Sequence, residues 1–389
     1  MAGMSFEPAS DLADIREGVR ALCDSFGNEY WRRMEPDTYP EDFVAALTKD
    51  GWLAALIPET YGGAGLGLTA ASVILEELNA SGGNAGACHA QMYMMGVILR
   101  HGSEEQRQRY LPEIAAGRLR LQAFGVTEPT VGSDTTQIAT RARRTDTGYV
   151  VNGQKIWTSR AEHSDLMLLL ARTTPRDEVE KRSQGLSVFL VDMREARGRG
   201  MTIQPIEAMV NHSTTEVFFD DLELPADALI GEEGNGFKQI LTGMNAERIL
   251  IAAECIGDGR FFIDRAVSYG SERVVFGRPI AANQGVQFPL ARAYAALEAA
   301  DLMRYKAAWK FENDEPCGAE ANMAKLLASD ASWAAANACM DTHGGFGFAS
   351  EYDIERKFRE TRLYQVAPIS NNLVLAFIGQ HVLGMPRSY

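Results

Sequence analysis

The spacing of the apolar residues changes twice along the chain, and this pattern limits the fold more than any other feature of the sequence. Apolar side chains recur at helical spacing from Asp11 to about Arg118, for example in EDFVAALTKDGWLAALIP. Alternating and β-branched runs follow from Leu121 to about Asp221, as in GYVVNGQKIWTS and TEVFFDDLELP. After Pro225 the helical spacing returns in long segments such as GFKQILTGMNAERILIAAECIG.

This order predicts an α+β fold rather than an alternating βαβ one. We expect an N-terminal α-helical domain over residues 1–120, a middle β domain, built as a barrel or sandwich, over 121–232, and a C-terminal bundle of long helices over 233–389. The glycine-rich YGGAGLG at 61–67 lacks the last glycine of a dinucleotide-binding fingerprint, and no strand of a βαβ unit precedes it. A connection between helices is therefore expected there.

The charge balance argues against nucleic acid and membrane surfaces as partners. Lys and Arg number 38 and Asp and Glu 52, which gives a formal net charge of −14, so attraction to phosphate polymers or anionic lipid is weak. No apolar run approaches the roughly 20 residues of a spanning helix, and MAGMSFEPASDLADIREGVR has neither a signal nor a transit pattern. We expect a cytoplasmic protein that binds neither nucleic acid nor membrane.

The cysteines give no sign of a metal site or a disulfide framework. They form no CxxC pair and no zinc-binding pattern, although one of them precedes a histidine. We expect reduced thiols, mostly in the core, and no metal. The five are Cys23, Cys88, Cys255, Cys317 and Cys339.

Two segments of the β section have residue types that suit a planar cofactor. FGVTEPTVGSD, residues 124–134, combines glycines, which let backbone N–H groups approach a ligand, with the hydroxyls of Thr127 and Ser133. GQKIWTSR, residues 153–160, places Trp157 before two hydroxyls, so its indole could stack on a ring while the hydroxyls bond the ring's heteroatoms. Taken singly, each segment is better explained as a turn or as core at a strand end than as a cofactor site.

Two segments of the C-terminal section suit a phosphate group. SERVVFGRPI, residues 271–280, follows a long helix, and the guanidinium of Arg273 is suited to pyrophosphate. THGGFGF, residues 342–348, has a glycine pair whose backbone N–H groups could contact phosphate. The glycine pair is also what a helix C-terminal cap requires.

In this order the four segments resemble the acyl-CoA dehydrogenase family of flavoenzymes. The resemblance covers nearly the whole chain, because VTEPTVGSD, KIWTS, ERVVFGRPI, HGGFGF, EYDIERKFRE and the helix after LYQVAPISNN keep the family's order. It implies that the protein binds FAD, acts on an acyl-CoA substrate and passes electrons to an electron-transferring flavoprotein. It also implies a homotetramer, built as a dimer of dimers.

The resemblance also implies which residues contact FAD. The first segment would cradle the flavin, Trp157 would cover one face of its ring, and Ser159 would bond N5 where many relatives have threonine. The C-terminal residues would reach FAD bound mainly by a neighbouring subunit, although Asp341, where relatives commonly have Gln, puts an anion near the pyrophosphate. The expected FAD-binding residues are Phe124, Val126, Thr127, Gly132, Ser133, Trp157, Thr158, Ser159, Arg273, Phe276, Gln284, Gly344 and Gly345.

The expected substrate contacts come from the same resemblance. Ser133 would also reach the CoA moiety, Asn245 and Arg248 match positions near it, and Tyr364 would border the acyl pocket. CHAQMYMMG, residues 88–96, would line the deep end of that pocket, where thioether side chains adapt to irregular shapes. The three methionines of this segment, Met92, Met94 and Met95, are also read as plain core. His212 is not assigned a catalytic role.

MNAERILIAAE, residues 244–254, places Glu247 at the head of an apolar run, where an ionised carboxylate is costly unless it is paired, solvated or used. In much of the family the catalytic base follows a tyrosine near the C terminus, but here Gln365 follows Tyr364, and its amide accepts no proton at neutral pH. Relatives that resemble isovaleryl-CoA and long-chain acyl-CoA dehydrogenases carry the base on the long helix, before an arginine.

Glu247, which precedes Arg248, matches that second position, and the resemblance implies that it removes the α-proton. Gln365 would keep a catalytic role through its backbone N–H, which would hold the thioester oxygen together with the FAD 2′-hydroxyl. From the residues alone, Glu247 could instead be a helix-surface carboxylate paired with a neighbouring Arg or Lys.

The expected reaction is α,β-dehydrogenation of an acyl-CoA to the trans-2-enoyl-CoA, with the β-hydrogen leaving as hydride to flavin N5. A base on the long helix would suit a branched or bulky acyl group. Two alternatives stay open. A relative without a base would catalyse a non-oxidative elimination or desulfination of a CoA thioester, and a non-catalytic scaffold would only bind CoA.

Overall fold

The computed structural model of the protein describes residues 10–387. The helices are Ser10–Cys23 (α1), Asn28–Met34 (α2), Glu41–Lys49 (α3), Leu68–Ala80 (α4), Ala90–His101 (α5), Glu104–Ala115 (α6), Met193–Ala196 (α7), Gly236–Glu272 (α8), Gln284–Glu312 (α9), Gly318–His343 (α10), Ile354–Leu363 (α11) and Asn371–Phe377 (α12). The strands are Leu121–Gly125 (β1), Arg141–Arg144 (β2), Gly148–Ser159 (β3), Leu166–Arg172 (β4), Leu186–Asp192 (β5), Met201–Pro205 (β6), Thr214–Pro225 (β7), Leu229–Ile230 (β8), Val274–Val275 (β9) and Arg278–Pro279 (β10).

The order of elements confirms the predicted α+β chain of helices, then a sheet, then long helices. The chain forms two compact units that do not follow the predicted chain limits. The first comprises the described residues up to Glu35, Gly67–Ala85 and those from Arg248 onward, and the second comprises Pro36–Leu66 and Gly86–Glu247. The N-terminal helices are thus divided between the units, and the limits 1–120, 121–232 and 233–389 stay predictions.

The second unit is built around an eight-stranded sheet. The strand order is β6-β7-β3-β2-β4-β5-β8, and β1 pairs in parallel with β4. β4 reads LMLLLAR and is buried along its whole length, as a strand covered on both faces requires. β3 and β7 are long antiparallel partners, and their inward side chains, such as Val151 and Val217, join the core of this unit. Helix α5 packs against β1.

The first unit is helical. Long α9 lies against α10, and α4 of the N-terminal section contacts α9. Phe262 of α8, Leu297 of α9 and Ala335 of α10 are fully buried members of its core. The small residues of α10 permit close approach of the neighbouring helices, because alanine adds little side-chain bulk to the interface.

Within residues 10–387, none of the helices combines the length and the hydropathy that spanning a lipid bilayer requires. The same residues contain no group of three or more His, Cys, Asp or Glu side chains arranged to hold a metal ion.

Candidate active site

The structure brings together the two β segments that the sequence assigns to the flavin. Phe124 lies in β1, and the loop that follows this strand runs beside the end of β3. The N–H of Ile156 donates to the carbonyl of Thr127 at 2.9 Å, and the ammonium of Lys155 donates to the carbonyl of Val126 at 3.0 Å. The segments 124–134 and 153–160 therefore form one surface of the second unit.

This surface offers groups that fit a flavin. The side chain of Trp157 is 58% exposed, although a large indole on a strand is ordinarily buried. Ser133 and Gly132 are exposed, and a Cβ at Gly132 would meet no atom within 4 Å. An accessible aromatic face, a hydroxyl and an open glycine backbone suit a planar ring with a polar edge. The residues present therefore fit FAD.

Thr158 differs from its neighbours in this surface. Its side chain is buried, whereas Trp157 is exposed and Ser159 is partly exposed. The Thr158 hydroxyl is therefore not part of the accessible surface that Trp157 and Ser159 form. Trp157 has a φ of 59°, which interrupts the regular alternation of a strand. The expected flavin contact of Thr158 stays a prediction, and its burial disfavours a contact through the hydroxyl.

A buried ion pair that the sequence analysis missed supports the flavin surface. Lys155 Nζ lies 2.8 Å from Glu128 Oε1, and both residues are buried. The Glu128 carboxylate also accepts the N–H groups of Ala139 and Thr140, at 2.7 and 2.9 Å. Burial lowers the pKa of Lys155 to about 8 despite the carboxylate beside it. Burial alone would raise the pKa of Glu128, but the charge and hydrogen bond of Lys155 outweigh it and lower that pKa.

Replacing Lys155 by methionine is expected to weaken FAD binding about tenfold. The Val126 carbonyl and the Glu128 carboxylate then lose the cation that holds the segment 124–134 in place. The measurement is the FAD content per chain after dialysis, with a titration of the apoprotein. Lys181→Met, which changes an exposed lysine of the same unit, is the control. A Lys155→Met protein that retains FAD as the control does would contradict the supporting role.

The C-terminal residues assigned to FAD are all exposed within the first unit. Arg273 immediately precedes β9, and Phe276 lies in the turn between β9 and β10, where it is fully exposed with a φ of 52°. Gln284 is the first residue of α9, and Gly344 immediately follows α10 with a φ of 57°, a conformation that glycine adopts without strain. A Cβ at Gly344 or Gly345 would meet no atom within 4 Å. The predicted contacts with a neighbouring subunit's FAD stay predictions, and Asp341 is exposed.

Glu247 lies in α8 and is 8% exposed. The first part of α8 approaches α5 in the second unit, since a Cβ at Gly243 would lie 3.3 Å from Val97 Cγ2. The three methionines of α5, Met92, Met94 and Met95, are buried. Their burial agrees both with a lining of the acyl pocket and with plain core packing. Asn245 and Arg248 are partly buried. The burial of Glu247 excludes a solvated surface glutamate, while its catalytic role stays a prediction.

Tyr364 of the first unit is buried and donates its hydroxyl to Glu254 Oε2 at 2.7 Å, an acceptor that the sequence analysis missed. Burial, followed by the negative charge of Glu254, raises the pKa of Tyr364 well above its usual value.

The Gln365 side chain is engaged in structure. Its Nε2 donates to the Ser329 carbonyl at 2.8 Å, and its Oε1 accepts from Asn371 Nδ2 at 3.2 Å. The backbone N–H of Gln365, which is expected to hold the thioester oxygen, donates to the Arg362 carbonyl at a long 3.3 Å. A bond of that length is longer than a typical N–H···O hydrogen bond.

Comparison with known proteins gives one family for the whole chain. Residues 10–118 match the N-terminal domain of acyl-CoA dehydrogenases, residues 123–222 the middle domain and residues 234–383 the C-terminal domain. The chain is 35% identical over 393 residues to the acyl-CoA dehydrogenase FadE12 of Mycobacterium tuberculosis, with 100% of both chains covered. It is 32% identical over 333 residues to a 3-(aryl)acrylate reductase of Clostridium sporogenes, with 84% of this chain and 86% of the relative covered.

The fold agrees with that assignment. Butyryl-CoA dehydrogenase from Megasphaera elsdenii is similar in structure with a TM-score of 0.90 at 28% identity, and the match covers 98% of this chain and 100% of that one. The three domains, in the order that the sequence predicts, are confirmed. The chain therefore belongs to the acyl-CoA dehydrogenase family of FAD-dependent oxidoreductases.

Proposed function

We propose that the protein dehydrogenates the α,β bond of an acyl-CoA thioester to give the trans-2-enoyl-CoA, and that Glu247 is the base. The observation that carries the proposal is the burial of Glu247 in an apolar helix, while Gln365 stands where much of the family has its carboxylate. A carboxylate kept from water is a stronger proton acceptor than a hydrated one. The α-hydrogen of a thioester is weakly acidic and requires such a base.

The other residues bind and orient. Bound FAD supplies the acceptor for the β-hydrogen, which leaves as hydride. Trp157 would cover the ring of bound FAD, and Ser159 would bond its polar edge. The backbone N–H of Gln365, released from Arg362, donates to the thioester oxygen and stabilises the negative charge that develops there as the α-proton leaves.

The test is anaerobic mixing of the FAD-bound protein with a panel of acyl-CoA thioesters. Loss of flavin absorbance, together with formation of one enoyl-CoA for each dye molecule reduced by two electrons, is the expected result. The second candidate, a non-oxidative elimination or desulfination, is favoured by Gln365 at the usual base position. It predicts product without dye reduction. A non-catalytic scaffold predicts neither.

A branched or bulky acyl group is the proposed substrate class. A base on the long helix leaves space on the other side of the α-carbon, and the name of the Clostridium sporogenes relative, 3-(aryl)acrylate reductase, supports a bulky group. A strong kinetic preference for straight butyryl-CoA or octanoyl-CoA would overturn this part of the proposal.

The proposed partners are an electron-transferring flavoprotein, which takes the electrons, and three further copies of the chain. Exposed apolar side chains on α9 support assembly. Phe288, Leu302 and Trp309 are separated by multiples of seven residues and so share one helix face. Sedimentation velocity of the FAD-bound protein is expected to give the mass of four chains, and a Leu302→Asp, Trp309→Asp variant to give a smaller species. A monomeric parent protein would contradict the tetramer.

A further inference from the structure

A buried cation lies next to the flavin surface of the second unit. Arg160 follows Ser159 at the end of β3 and is only 3% exposed. Two imidazoles lie beside it, His89 immediately before α5 and His212 immediately before Ser213 and β7. These three residues are called the Arg160 cluster below.

The hydrogen bonds of Arg160 leave most of the guanidinium unused. Its Nη2 donates to His89 Nε2 at 3.2 Å, while Nε and Nη1 are buried without a partner among residues 10–387. No carboxylate of the described chain forms an ion pair with Arg160. A guanidinium keeps its charge in proteins, and a buried charge without a counterion is costly.

A buried arginine with a structural role looks different in the same unit. Arg172 is also buried, and all three of its nitrogens donate to backbone carbonyls. Nε donates to Ile138 at 3.0 Å and Nη2 to Thr136 at 2.8 Å, with a longer bond from Nη1 to Thr174 at 3.4 Å. The guanidinium of Arg172 thus has an acceptor for each of its nitrogens, whereas Nε and Nη1 of Arg160 have none among the described residues.

His212 adds a second unused polar atom. Its Nδ1 is buried and makes no hydrogen bond of good geometry with the described residues, and its ring centroid lies 6.2 Å from that of His89. Burial, followed by the positive charge of Arg160, lowers the pKa of His212 well below its usual value. The ring is therefore neutral at neutral pH and, in one tautomer, donates Nδ1–H to an acceptor.

The backbone around the Arg160 cluster is held in unfavourable conformations. Trp157, Arg160 and Ser213 have φ values of 59°, 58° and 44°, in the left-handed region that residues with a side chain seldom adopt. The N–H of Arg160 donates to the carbonyl of Ser213 at 2.8 Å, which joins two of these residues. Strain of this kind persists where the surrounding structure fixes a group for binding or catalysis.

We propose that Arg160, assisted by His212, binds a carboxylate on the acyl group, so that the substrates are CoA thioesters of dicarboxylic acids. This inference rests on the proposed dehydrogenation and adds a terminal carboxylate to the acyl group, whether or not that group is branched or bulky. A carboxylate is the anion that a guanidinium binds best among acyl substituents. His89 opens the segment 88–96 that is expected to line the acyl pocket, and Trp157 and Ser159 adjoin Arg160. Because Nε and Nη1 are buried, admitting the carboxylate requires the connection 206–213, which carries His212, to shift.

The test measures binding without turnover. Isothermal titration calorimetry is carried out with the FAD-bound Glu247→Gln protein. At six acyl carbons it compares the affinity of adipyl-CoA with the affinities of hexanoyl-CoA and 6-hydroxyhexanoyl-CoA. At five and eight carbons it compares glutaryl-CoA and suberyl-CoA with the methyl-terminated thioesters of the same length. At one chain length the carboxylated thioester is expected to bind about 100-fold more tightly than the other two kinds. Adding Arg160→Met is expected to bring that ratio near one, and adding Arg160→Lys to retain part of it. Adding Arg199→Met, which changes an exposed arginine, is expected to leave the ratio unchanged.

Three results would overturn the inference: equal binding of carboxylated and methyl-terminated thioesters at every length, equal binding of the hydroxyl analogue, or a preference that survives Arg160→Met. FAD content and circular dichroism show whether each variant folds. If the Arg160→Met variant does not fold, the Arg160→Lys variant still tests the inference. Failure of the proposed function is a separate result. No thioester would then bleach the flavin of the protein with Glu247 intact, whatever the binding ratios are.

Discussion

The Glu247→Gln variant is expected to bind FAD normally and to lose the reduction of the flavin by acyl-CoA. Glutamine keeps the size of the side chain and its place in α8 but accepts no proton, so the α-hydrogen has no acceptor. General-base catalysis contributes about 10²- to 10⁴-fold to a rate, and a loss of that size is expected in stopped-flow bleaching of the flavin. This is the largest effect on activity that we expect from a single substitution.

Two further measurements separate a base from a residue that only shapes the site. Exchange of the substrate α-hydrogen with D₂O, followed by mass spectrometry, should stop in Glu247→Gln, because this exchange needs proton removal but no hydride transfer. Glu272→Gln, at the exposed end of the same helix, should bleach and exchange as the parent protein does. Bleaching of Glu247→Gln at the parent rate would falsify the assignment.

The sequence predicts the fold well because most elements have a clear period. The long apolar helices α8, α9 and α10 and the alternating strands β3 and β7 follow directly from it. The division of the N-terminal helices between two units cannot be predicted from the period of the apolar residues. It depends on contacts such as that between α4 and α9, which are far apart in sequence, and periodicity reports which face of a helix is apolar but not which partner covers it.

The candidate site is predictable where a local motif determines it. The segments around Thr127 and Trp157 meet through a backbone hydrogen bond, while their contacts with the flavin stay predictions. The pair of Lys155 and Glu128 was missed because its members are 27 residues apart, and each alone resembles a surface charge. Two signals could have revealed it: Lys155 is the one charged residue of β3, and Glu128 is the one charged residue of the segment 121–133.

Arg160 was missed for a different reason. Its sequence context, WTSRAEH, reads as the exposed end of a strand, where an arginine is expected to reach solvent. The left-handed backbone at Trp157 and Arg160 instead leads that side chain into the unit. Such conformations arise from tertiary packing and leave no trace in the spacing of apolar residues.

The largest loss of stability is expected from Lys357→Met in α11. Lys357 is fully buried in the first unit, and its Nζ lies 2.6 Å from Asp258 Oδ1, 2.8 Å from Glu360 Oε2 and 2.8 Å from the Gly83 carbonyl. Removing this cation leaves two buried carboxylates with less compensation, which costs about 3–5 kcal/mol. Urea unfolding of the FAD-bound protein measures the loss. Lys306→Met, which removes an exposed lysine whose Nζ lies 3.6 Å from Glu320 Oε1 while Lys310 still pairs with that carboxylate at 3.0 Å, should cost less than about 1 kcal/mol.

The loss of unfolding free energy caused by Lys357→Met should also depend on pH. The direction of this dependence shows whether the loss comes from the Asp258 carboxylate. Burial raises the pKa of Asp258 from 3.8 to about 7 even with Lys357 present, so the folded protein binds this proton more tightly than the unfolded chain does. The contribution of Asp258 to stability therefore falls as pH rises from about 4 to 7. Without Lys357 the pKa rises further, so the loss should be larger at pH 8 than at pH 5.5, where protonation removes the unpaired charge. Combining Lys357→Met with Asp258→Asn should restore part of the stability at pH 8, whereas a purely steric effect of methionine would persist at both pH values and in the double variant.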